Sequence, residues 1–322
     1  MSRWIKIVIS VALIGWLFSS VDFGSIWNQF AEVDWLWFII ASLLIPVGVS
    51  LGVWRWQVLL SVNGLQPGFA ALVKFWLVGQ FFSNFLPSNV GGDVVKAVMV
   101  AGRCGEGAWP HAASSVLVAR IVGLLGMFLV LPIGIILNHE WVISLNALVP
   151  LLLAFVGLLV LVVLIFGDAG DFVLRFFESI RWTRKITLIV RRLHDSILTY
   201  RATPKSIFMT LGLSGALTLE AAIQVWCLIQ MFPGVEITWT SQIVVFTVSS
   251  LIAMVPITIN GYGLQEGAFT VLLVSLGMTS AQGLIIAVAY RLISLMVASA
   301  GGLIFALSGT PVRDVTEVNR PS

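Results

Sequence analysis

Long apolar runs alternate with short polar or glycine-containing breaks along almost the whole chain, and this pattern predicts membrane-spanning helices. A transmembrane helix needs about twenty consecutive, mostly apolar residues. Runs of this kind occupy residues 35–54, 112–137, 141–166, 207–232 and 285–307. A shorter run over residues 7–18 follows Arg3 and Lys6 and is either a cleaved signal peptide ending near Ser19 or a first membrane span.

Two other apolar stretches, 69–100 and 243–276, are each divided by a turn that breaks the helix. Both turns combine a proline with two glycines and place a carboxylate where the next helix would begin. The residues are Pro87, Gly91, Gly92 and Asp93 in the first turn and Pro256, Gly261, Gly263 and Glu266 in the second. The second arm of the first stretch has only about eight residues, too few for a crossing that needs about twenty. We therefore predict two re-entrant helical hairpins, whose turns must be covered by protein or a water-filled cavity.

The predicted elements follow the order span, span, hairpin, span, and then repeat that order. The fold class is therefore an all-α polytopic membrane protein with about six full transmembrane helices and two re-entrant hairpins in an inverted-topology repeat. The single membrane domain, 1–322, contains a first repeat at 1–137, a second at 141–308, a basic amphipathic segment at 167–205 and a tail at 309–322. Since a cleaved leader would destroy this symmetry, we favour a membrane span over residues 7–18.

The distribution of basic residues predicts the orientation. All 18 Lys and Arg residues lie either in segments predicted to face the cytoplasm or, as Lys96, Arg120 and Arg291 do, at membrane depth. Arg55 is assigned to the cytoplasmic end of the span at 35–54. In the segment 167–205, arginines alternate with apolar residues at helical spacing, as in helices that lie on an anionic membrane surface. We expect a multi-pass protein of the cytoplasmic (inner) membrane with both termini in the cytoplasm.

The composition supports a membrane location and excludes several other classes. Hydrophobic residues make up 59% of the 322 residues and charged residues 10%, and the mean hydropathy is +1.02, which leaves too little polar surface for a soluble globule. The net charge of +3 arises from basic residues near span ends, so it does not indicate nucleic-acid binding. The 2 cysteines and 3 histidines lack the spacing of a metal site or a catalytic triad, so we predict no disulfide, metal or cofactor.

Arg120 and Arg291 are the strongest candidates for a functional site. A guanidinium at membrane depth is costly and persists mainly where it is paired or faces a polar cavity. In one hypothesis the two arginines bind a lipid phosphate in bidentate fashion. In the other, each arginine forms a structural ion pair with Asp93 or Glu266 and ties a span to a hairpin. Both hypotheses hold if a headgroup competes with the carboxylate.

The other polar residues near the turns also have two interpretations. Asp93 and Glu266 either cap the helices that they begin or bind a cationic headgroup moiety or a coupling proton. Lys96 either snorkels toward the cytoplasm or contacts substrate. A further group of side chains either binds phosphate or sugar oxygens or satisfies backbone groups freed by the breaks: Asn84, Asn89, Asn260, Tyr262 and Gln265. Glu220 and Gln224 are either an interhelical hydrogen-bonding pair, which we favour, or a proton site.

At the two hairpins and their arginines the sequence resembles the lysylphosphatidylglycerol synthase transmembrane-region family. The resemblance covers most of the chain, and its markers are Phe82, Asn84, Pro87 and Gly91-Gly92-Asp93, and Pro256, Asn260-Gly-Tyr-Gly263 and Glu266-Gly267. The family includes the membrane half of the multiple peptide resistance factors, archaeal proteins implicated in surface glycosylation and many stand-alone membrane proteins. In the resistance factors this region is similar to a flippase that moves an aminoacylated phospholipid outward. The chain stops at Ser322 without room for their aminoacyl-transferase domain, so we expect no lipid synthesis.

The hairpins, the arginines and the resemblance together predict a lipid flippase or transporter rather than an enzyme. Its partner would be an anionic phospholipid, a glycolipid or a polyprenyl-phosphate-linked lipid, held by its phosphate while the tails stay in the bilayer. No ATP-binding motif is present, so uphill transport would need a proton or the membrane potential. Two alternatives are a membrane-embedded glycosyl or aminoacyl transferase and a non-catalytic partner of a lipid-modifying enzyme. A homo-oligomer is compatible with each of these hypotheses.

Overall fold

The structure is a computed structural model, and it describes residues 29, 33–85, 91–105, 107–146, 148–166, 191, 193–255, 257–258 and 260–308. This part of the chain is helical and contains no β-strand. The helices, numbered here in chain order, are α1 (Trp35–Leu43), α2 (Ile45–Val62), α3 (Phe69–Phe85), α4 (Gly91–Cys104), α5 (Ala108–Leu137), α6 (His139–Ser144), α7 (Leu148–Phe166), α8 (Pro204–Ile229), α9 (Ser241–Ala253), α10 (Leu264–Ser275) and α11 (Ser280–Ser308). A 3₁₀ turn at Thr199–Ala202 precedes α8.

Four segments of the described chain are long and apolar enough to cross a membrane: α1 with α2, α5, α8 and α11. They contain between 26 and 30 residues, more than the roughly twenty that a crossing requires. The almost entirely aliphatic α7 adds 19 residues, and its Leu152, Leu153 and Val163 side chains are exposed. Exposed aliphatic surface on this scale is typical of a face that contacts lipid. The prediction of an all-helical membrane protein is confirmed.

Both predicted helix breaks are present, one between α3 and α4 and the other between α9 and α10. The four helices contain 17, 14, 13 and 12 residues, each shorter than the roughly twenty needed to span a bilayer. Within each pair the two helices pack against each other. Each pair is therefore a helical hairpin, and we call them the first and the second hairpin. Pro87, Asn89 and Pro256 lie outside the described residues.

The turn of the second hairpin depends on backbone conformations that favour glycine. The φ angle is 48° at Asn260, 73° at Gly261 and 83° at Gly263, all in the left-handed region. A Cβ atom at position 261 would also lie 2.7 Å from the Ala253 side chain. Gly261 and Gly263 both lie in the turn that precedes α10.

The assignment of Gly91 and Gly92 to the turn of the first hairpin is wrong. Both residues belong to α4, which contains 14 residues and is therefore longer than the arm of about eight residues that the sequence predicted. Gly92 faces α3, where a Cβ atom would lie 2.1 Å from the Gly79 carbonyl oxygen. This glycine is needed because the two arms approach closely, and not because the chain turns there.

The helix that contains Arg55 is also longer than predicted. The predicted span ended at Trp54, before the charge, but α2 continues to Val62 and is followed by Asn63 and Gly64, which has a φ of 74°. One charge does not stop a helix, whereas an asparagine followed by a left-handed glycine is a usual helix end. Arg55 therefore lies about two turns inside α2.

The predicted span at 141–166 is divided between α6 and α7. The chain turns between these helices at Asn146, which has a φ of 51°. Asparagine tolerates this left-handed conformation better than most residues. The sequence pattern missed the turn because the flanking residues, Leu145 and Leu148, are themselves apolar.

Several predicted segments lie outside the described residues: the run at 7–18, most of the basic segment at 167–205 and the tail at 309–322. The described end of the basic segment is attached to α2. The buried Tyr200 hydroxyl donates to the Leu59 carbonyl oxygen at 2.9 Å and accepts from Asn63 Nδ2 at 3.0 Å. Burial raises the pKa of Tyr200, which keeps its hydroxyl a donor.

Close helix contacts join the earlier and later parts of the chain. On α11, a Cβ atom at Gly301 would lie 1.9 Å from the Leu77 carbonyl oxygen of α3. On α5, a Cβ atom at Gly126 would lie 2.3 Å from Ser214 Cβ of α8. Such small residues allow helices to approach closely where no hydrophobic effect drives them together. The first contact places the first hairpin against α11, and the second places α5 against α8.

Candidate functional site

A cavity of about 380 Å³ lies between the two hairpins, and we call it the central cavity. Its wall is formed by residues of α2, α3, α4, α5, α9 and α11 and of the turn and first residues of α10. The charged residues that line it are Arg55, Asp93, Lys96, Arg120 and Arg291. Amide side chains at its wall include Gln80, Asn84, Asn260 and Gln265. Residues predicted from separate motifs therefore lie around one space.

Asp93 joins the first hairpin to α5. It lies in the first turn of α4, where a carboxylate also complements the positive end of the helix dipole. One carboxylate oxygen, Oδ1, is 2.6 Å from Lys96 Nζ, and the other, Oδ2, accepts a hydrogen bond from Arg120 Nε. Asp93 is only 8% exposed, whereas the Arg120 side chain is 40% exposed. The Arg120 guanidinium is therefore tied to the hairpin and still open at the cavity wall.

Glu266 joins the second hairpin to α11 in a corresponding way. Its Oε1 atom lies 2.5 Å from Arg291 Nε, and its Oε2 atom accepts from the Gly263 backbone N–H at 2.8 Å. Arg291 Nη2 donates to Gln265 Oε1 at 3.0 Å, and the guanidinium lies 4.3 Å from the centroid of the Tyr262 ring. Only 12% of the Arg291 side chain is exposed. Arg291 is thus held on three sides by the second hairpin.

The two hairpins meet at Asn84. Its side-chain oxygen accepts from Asn260 Nδ2 at 3.2 Å and lies 3.5 Å from the Tyr262 hydroxyl. Its side-chain nitrogen donates to the Gln80 carbonyl oxygen at 2.9 Å. These amides therefore connect the end of α3 to the turn of the second hairpin, a contact that the sequence did not predict.

The charges around the central cavity do not balance. The four cationic side chains, Arg55, Lys96, Arg120 and Arg291, outnumber the two carboxylates, Asp93 and Glu266, within the described residues. The two helices that begin at this region, α4 and α10, add partial positive charge at their N-terminal ends. The cavity is therefore suited to an anionic group.

Arg55 is a cavity residue that the sequence analysis missed. Its Nη1 atom donates to Ser214 Oγ on α8 at 3.1 Å, and its Nε atom is buried without a hydrogen-bond partner in the described part of the chain. The sequence pattern predicted a position at the membrane surface, because a charge that follows an apolar run usually marks the end of a span. The helix end that follows, Asn63-Gly64, was the signal that would have placed it correctly.

Glu220 and Gln224 of α8 both face the α1–α2 segment and not the central cavity. Gln224 Nε2 donates to the Ala41 carbonyl oxygen at 3.0 Å, so the expected interhelical hydrogen bond is present for this residue. The Glu220 carboxylate packs against Gly48, where a Cβ atom would lie 3.0 Å from Glu220 Oε2. Glu220 therefore contacts the backbone of a neighbouring helix.

Comparison with known proteins gives one family and two relatives. The family model described as the lysylphosphatidylglycerol synthase TM region matches residues 3–302. The chain is 24% identical over 318 residues to a UPF0104 membrane protein of Methanothermobacter thermautotrophicus, with 93% of each chain covered. It is 20% identical over 330 residues to a UPF0104 membrane protein of Pyrococcus horikoshii, with 95% of this chain and 97% of the relative covered.

Proposed function

The chain belongs to the lysylphosphatidylglycerol synthase transmembrane-region family, and we propose that it is a transporter that moves an anionic lipid between the leaflets of the cytoplasmic membrane. The cargo would be a phospholipid, a glycolipid or a polyprenyl-phosphate-linked lipid. The observation that supports this proposal is the excess of cationic side chains around the central cavity. Arginine forks match the geometry of phosphate oxygens and bind them with charge-assisted hydrogen bonds.

The size of the central cavity suits a headgroup better than a whole lipid. Its volume of about 380 Å³ is at the lower end of the range for small-molecule sites. A phosphate with a small substituent fills such a space, and the acyl or prenyl chains remain in the bilayer. This division avoids the cost of moving the charged group through hydrocarbon without polar contacts.

The two hairpins supply the moving parts in this proposal. We place their turns near the membrane midplane, with the first hairpin entering from the cytoplasm and the second from outside, as in transporters with inverted repeats. The ion pairs Asp93–Arg120 and Glu266–Arg291 each hold a hairpin against a long helix. A phosphate that enters the cavity competes with these carboxylates for the guanidinium groups. Release of one pair at a time would open the cavity to one leaflet at a time.

Native mass spectrometry of the purified protein tests this proposal, because it identifies the lipids that remain bound. The cavity variant is the pair Asp93→Asn/Arg120→Gln, which removes the Asp93–Arg120 ion pair and also takes the carboxylate from Lys96. The control is Arg103→Gln, at an exposed arginine at the end of α4. We expect one phosphate-bearing lipid to be enriched over the bulk membrane in the wild type and the control and to be lost in the cavity variant. Bound lipids that match the bulk membrane in all three folded proteins would contradict the proposal.

A further inference from the structure

Arg55 differs from the other cationic residues of the central cavity in its partners. Lys96, Arg120 and Arg291 each form an ion pair with a carboxylate, Lys96 and Arg120 with the shared Asp93 and Arg291 with Glu266. Within the described part of the chain, the Arg55 guanidinium has no carboxylate in ion-pair contact, and its hydrogen bond goes to the uncharged hydroxyl of Ser214. Asp93 faces the same cavity, but Lys96 and Arg120 occupy its two oxygens.

The guanidinium of Arg55 therefore has N–H donors beyond the one that bonds to Ser214. An arginine carries five N–H donors, and the hydrogen bond to Ser214 uses one of them. The Nε atom is buried and has no protein acceptor among the described residues. A charged group at membrane depth with unused donors is costly unless a polar partner reaches it through the cavity.

Two helices in close contact, α5 and α8, form the surface against which the Arg55 guanidinium lies. The Ser214 hydroxyl donates to the Thr210 carbonyl oxygen at 2.8 Å, so its lone pairs are available to Arg55. Gly126 of α5 packs against the Ser214 Cβ atom and holds this part of α8 in place. One turn earlier on α5, a Cβ atom at Gly123 would lie 3.2 Å from Arg55 Nη1. A glycine and a serine thus shape a space for the guanidinium group.

We propose that Arg55, oriented by Ser214, is the primary ligand of the oxyanion that enters the central cavity. The ligand class is a phosphate ester or phosphate ion, which an arginine fork binds through two parallel hydrogen bonds. The paired residues Arg120 and Arg291 then engage the same anion as they separate from their carboxylates. This inference rests on the proposed lipid transport and assigns the first contact in it.

Calorimetric titration of the full-length protein in detergent tests this assignment with two probes. The probes are short-chain dihexanoyl phosphatidic acid and inorganic phosphate, and the variants are Arg55→Gln, Arg55→Lys and the control Arg103→Gln. We expect Arg55→Gln to weaken binding of phosphatidic acid by about ten- to a hundredfold, the loss of one or more hydrogen bonds to a charged group. Arg55→Lys keeps the charge but loses the fork, so its loss should be smaller. Arg103→Gln should bind as the wild type does.

The outcomes separate this inference from the transport proposal. Undiminished binding of phosphatidic acid by a folded Arg55→Gln variant overturns the role of Arg55 and leaves a lipid site in place. Binding of inorganic phosphate alone, lost in Arg55→Gln, supports the oxyanion site but assigns it to a free ion and contradicts lipid transport. A wild-type protein that binds neither probe overturns both proposals.

Discussion

The side-chain oxygen of Asn84 lies 3.2 Å from the side-chain nitrogen of Asn260, so the end of α3 contacts the turn of the second hairpin. The residues are far apart in the sequence, and each lies beside one end of a broken helix. Their hydrogen bond places both helix breaks at one polar cavity. The cationic groups of the first hairpin and of α2, α5 and α11 can therefore act on a single ligand.

The two ion pairs that tie the hairpins to the long helices should differ in strength. Glu266→Gln leaves the Arg291 guanidinium buried without its carboxylate, which should destabilise the protein by about 3–5 kcal/mol. Arg120→Gln should cost less, because the Arg120 side chain is already 40% exposed and Asp93 keeps Lys96 as a partner. The measurement is the free energy of unfolding in mixed detergent micelles.

Double variants serve as the control for these pairs. Glu266→Gln/Arg291→Gln removes both charges, so it should recover part of the loss seen in Glu266→Gln alone. Equal effects of the single and double changes would mean that the two side chains are not coupled.

The apparent stability of Arg55→Gln distinguishes a binding residue from a structural one. Because no carboxylate pairs with Arg55 within the described residues, Gln at this position removes an unpaired charge and leaves none behind. We expect the delipidated variant to melt at the same temperature as the wild type or higher. A melting temperature lowered to that of the Glu266→Gln variant would show that Arg55 is a structural tie.

The contact between α11 and α3 leaves no room for a side chain on Gly301. Since a Cβ atom there would lie 1.9 Å from the backbone oxygen of Leu77, Gly301→Ala must separate the two helices. We expect a loss of several kcal/mol or failure to fold, larger than the roughly 1–3 kcal/mol typical of overpacking by added methylenes. Gly212→Ala on α8 is the matched control, because nothing lies within 4 Å of that Cβ position. Equal stability of the two variants would contradict the observed packing.

The helix pattern was predictable where one local signal decided it. Glycines with positive φ form the turn directly before α10, and the apolar run predicted α5 to its last residue, Leu137. Pairing of Arg120 and Arg291 with carboxylates was one of the two hypotheses drawn from the sequence. It was predictable because each hairpin carries a carboxylate and is followed by a long helix that carries an arginine. The sequence did not reveal that the two sites face one cavity, because this depends on helix packing between distant segments.

For Arg55, by contrast, a strong local signal predicted the wrong position in the membrane. A charge at the end of an apolar run usually marks the membrane surface, and the tryptophans beside it supported that interpretation. The structure instead turns the charge inward, toward Ser214 and the cavity. The helix end at Asn63-Gly64, about two turns after Arg55, was the weaker signal that pointed to the correct position.

The orientation of the hairpins can be tested by labelling single cysteines in intact cells. Thr279, before α11, and Ser61, near the end of α2, are both exposed, and the native Cys104 and Cys227 would be replaced by serine and alanine. The inverted arrangement predicts that Thr279→Cys reacts with a membrane-impermeant maleimide from outside and that Ser61→Cys reacts only after the cells are opened. Reaction of both positions from the same side would contradict the inverted repeat.

The most direct test of the account is a lipid-exchange assay in vesicles that contain the purified protein. The vesicles carry phosphatidylglycerol or phosphatidylcholine with a fluorescent group on one acyl chain, and dithionite added outside bleaches only the outer leaflet. We predict that the wild-type protein makes inner-leaflet phosphatidylglycerol accessible and phosphatidylcholine much less so, and that Arg55→Gln and Asp93→Asn/Arg120→Gln slow this exchange. Bleaching by the folded, inserted wild-type protein that equals that of protein-free vesicles would contradict the central claim.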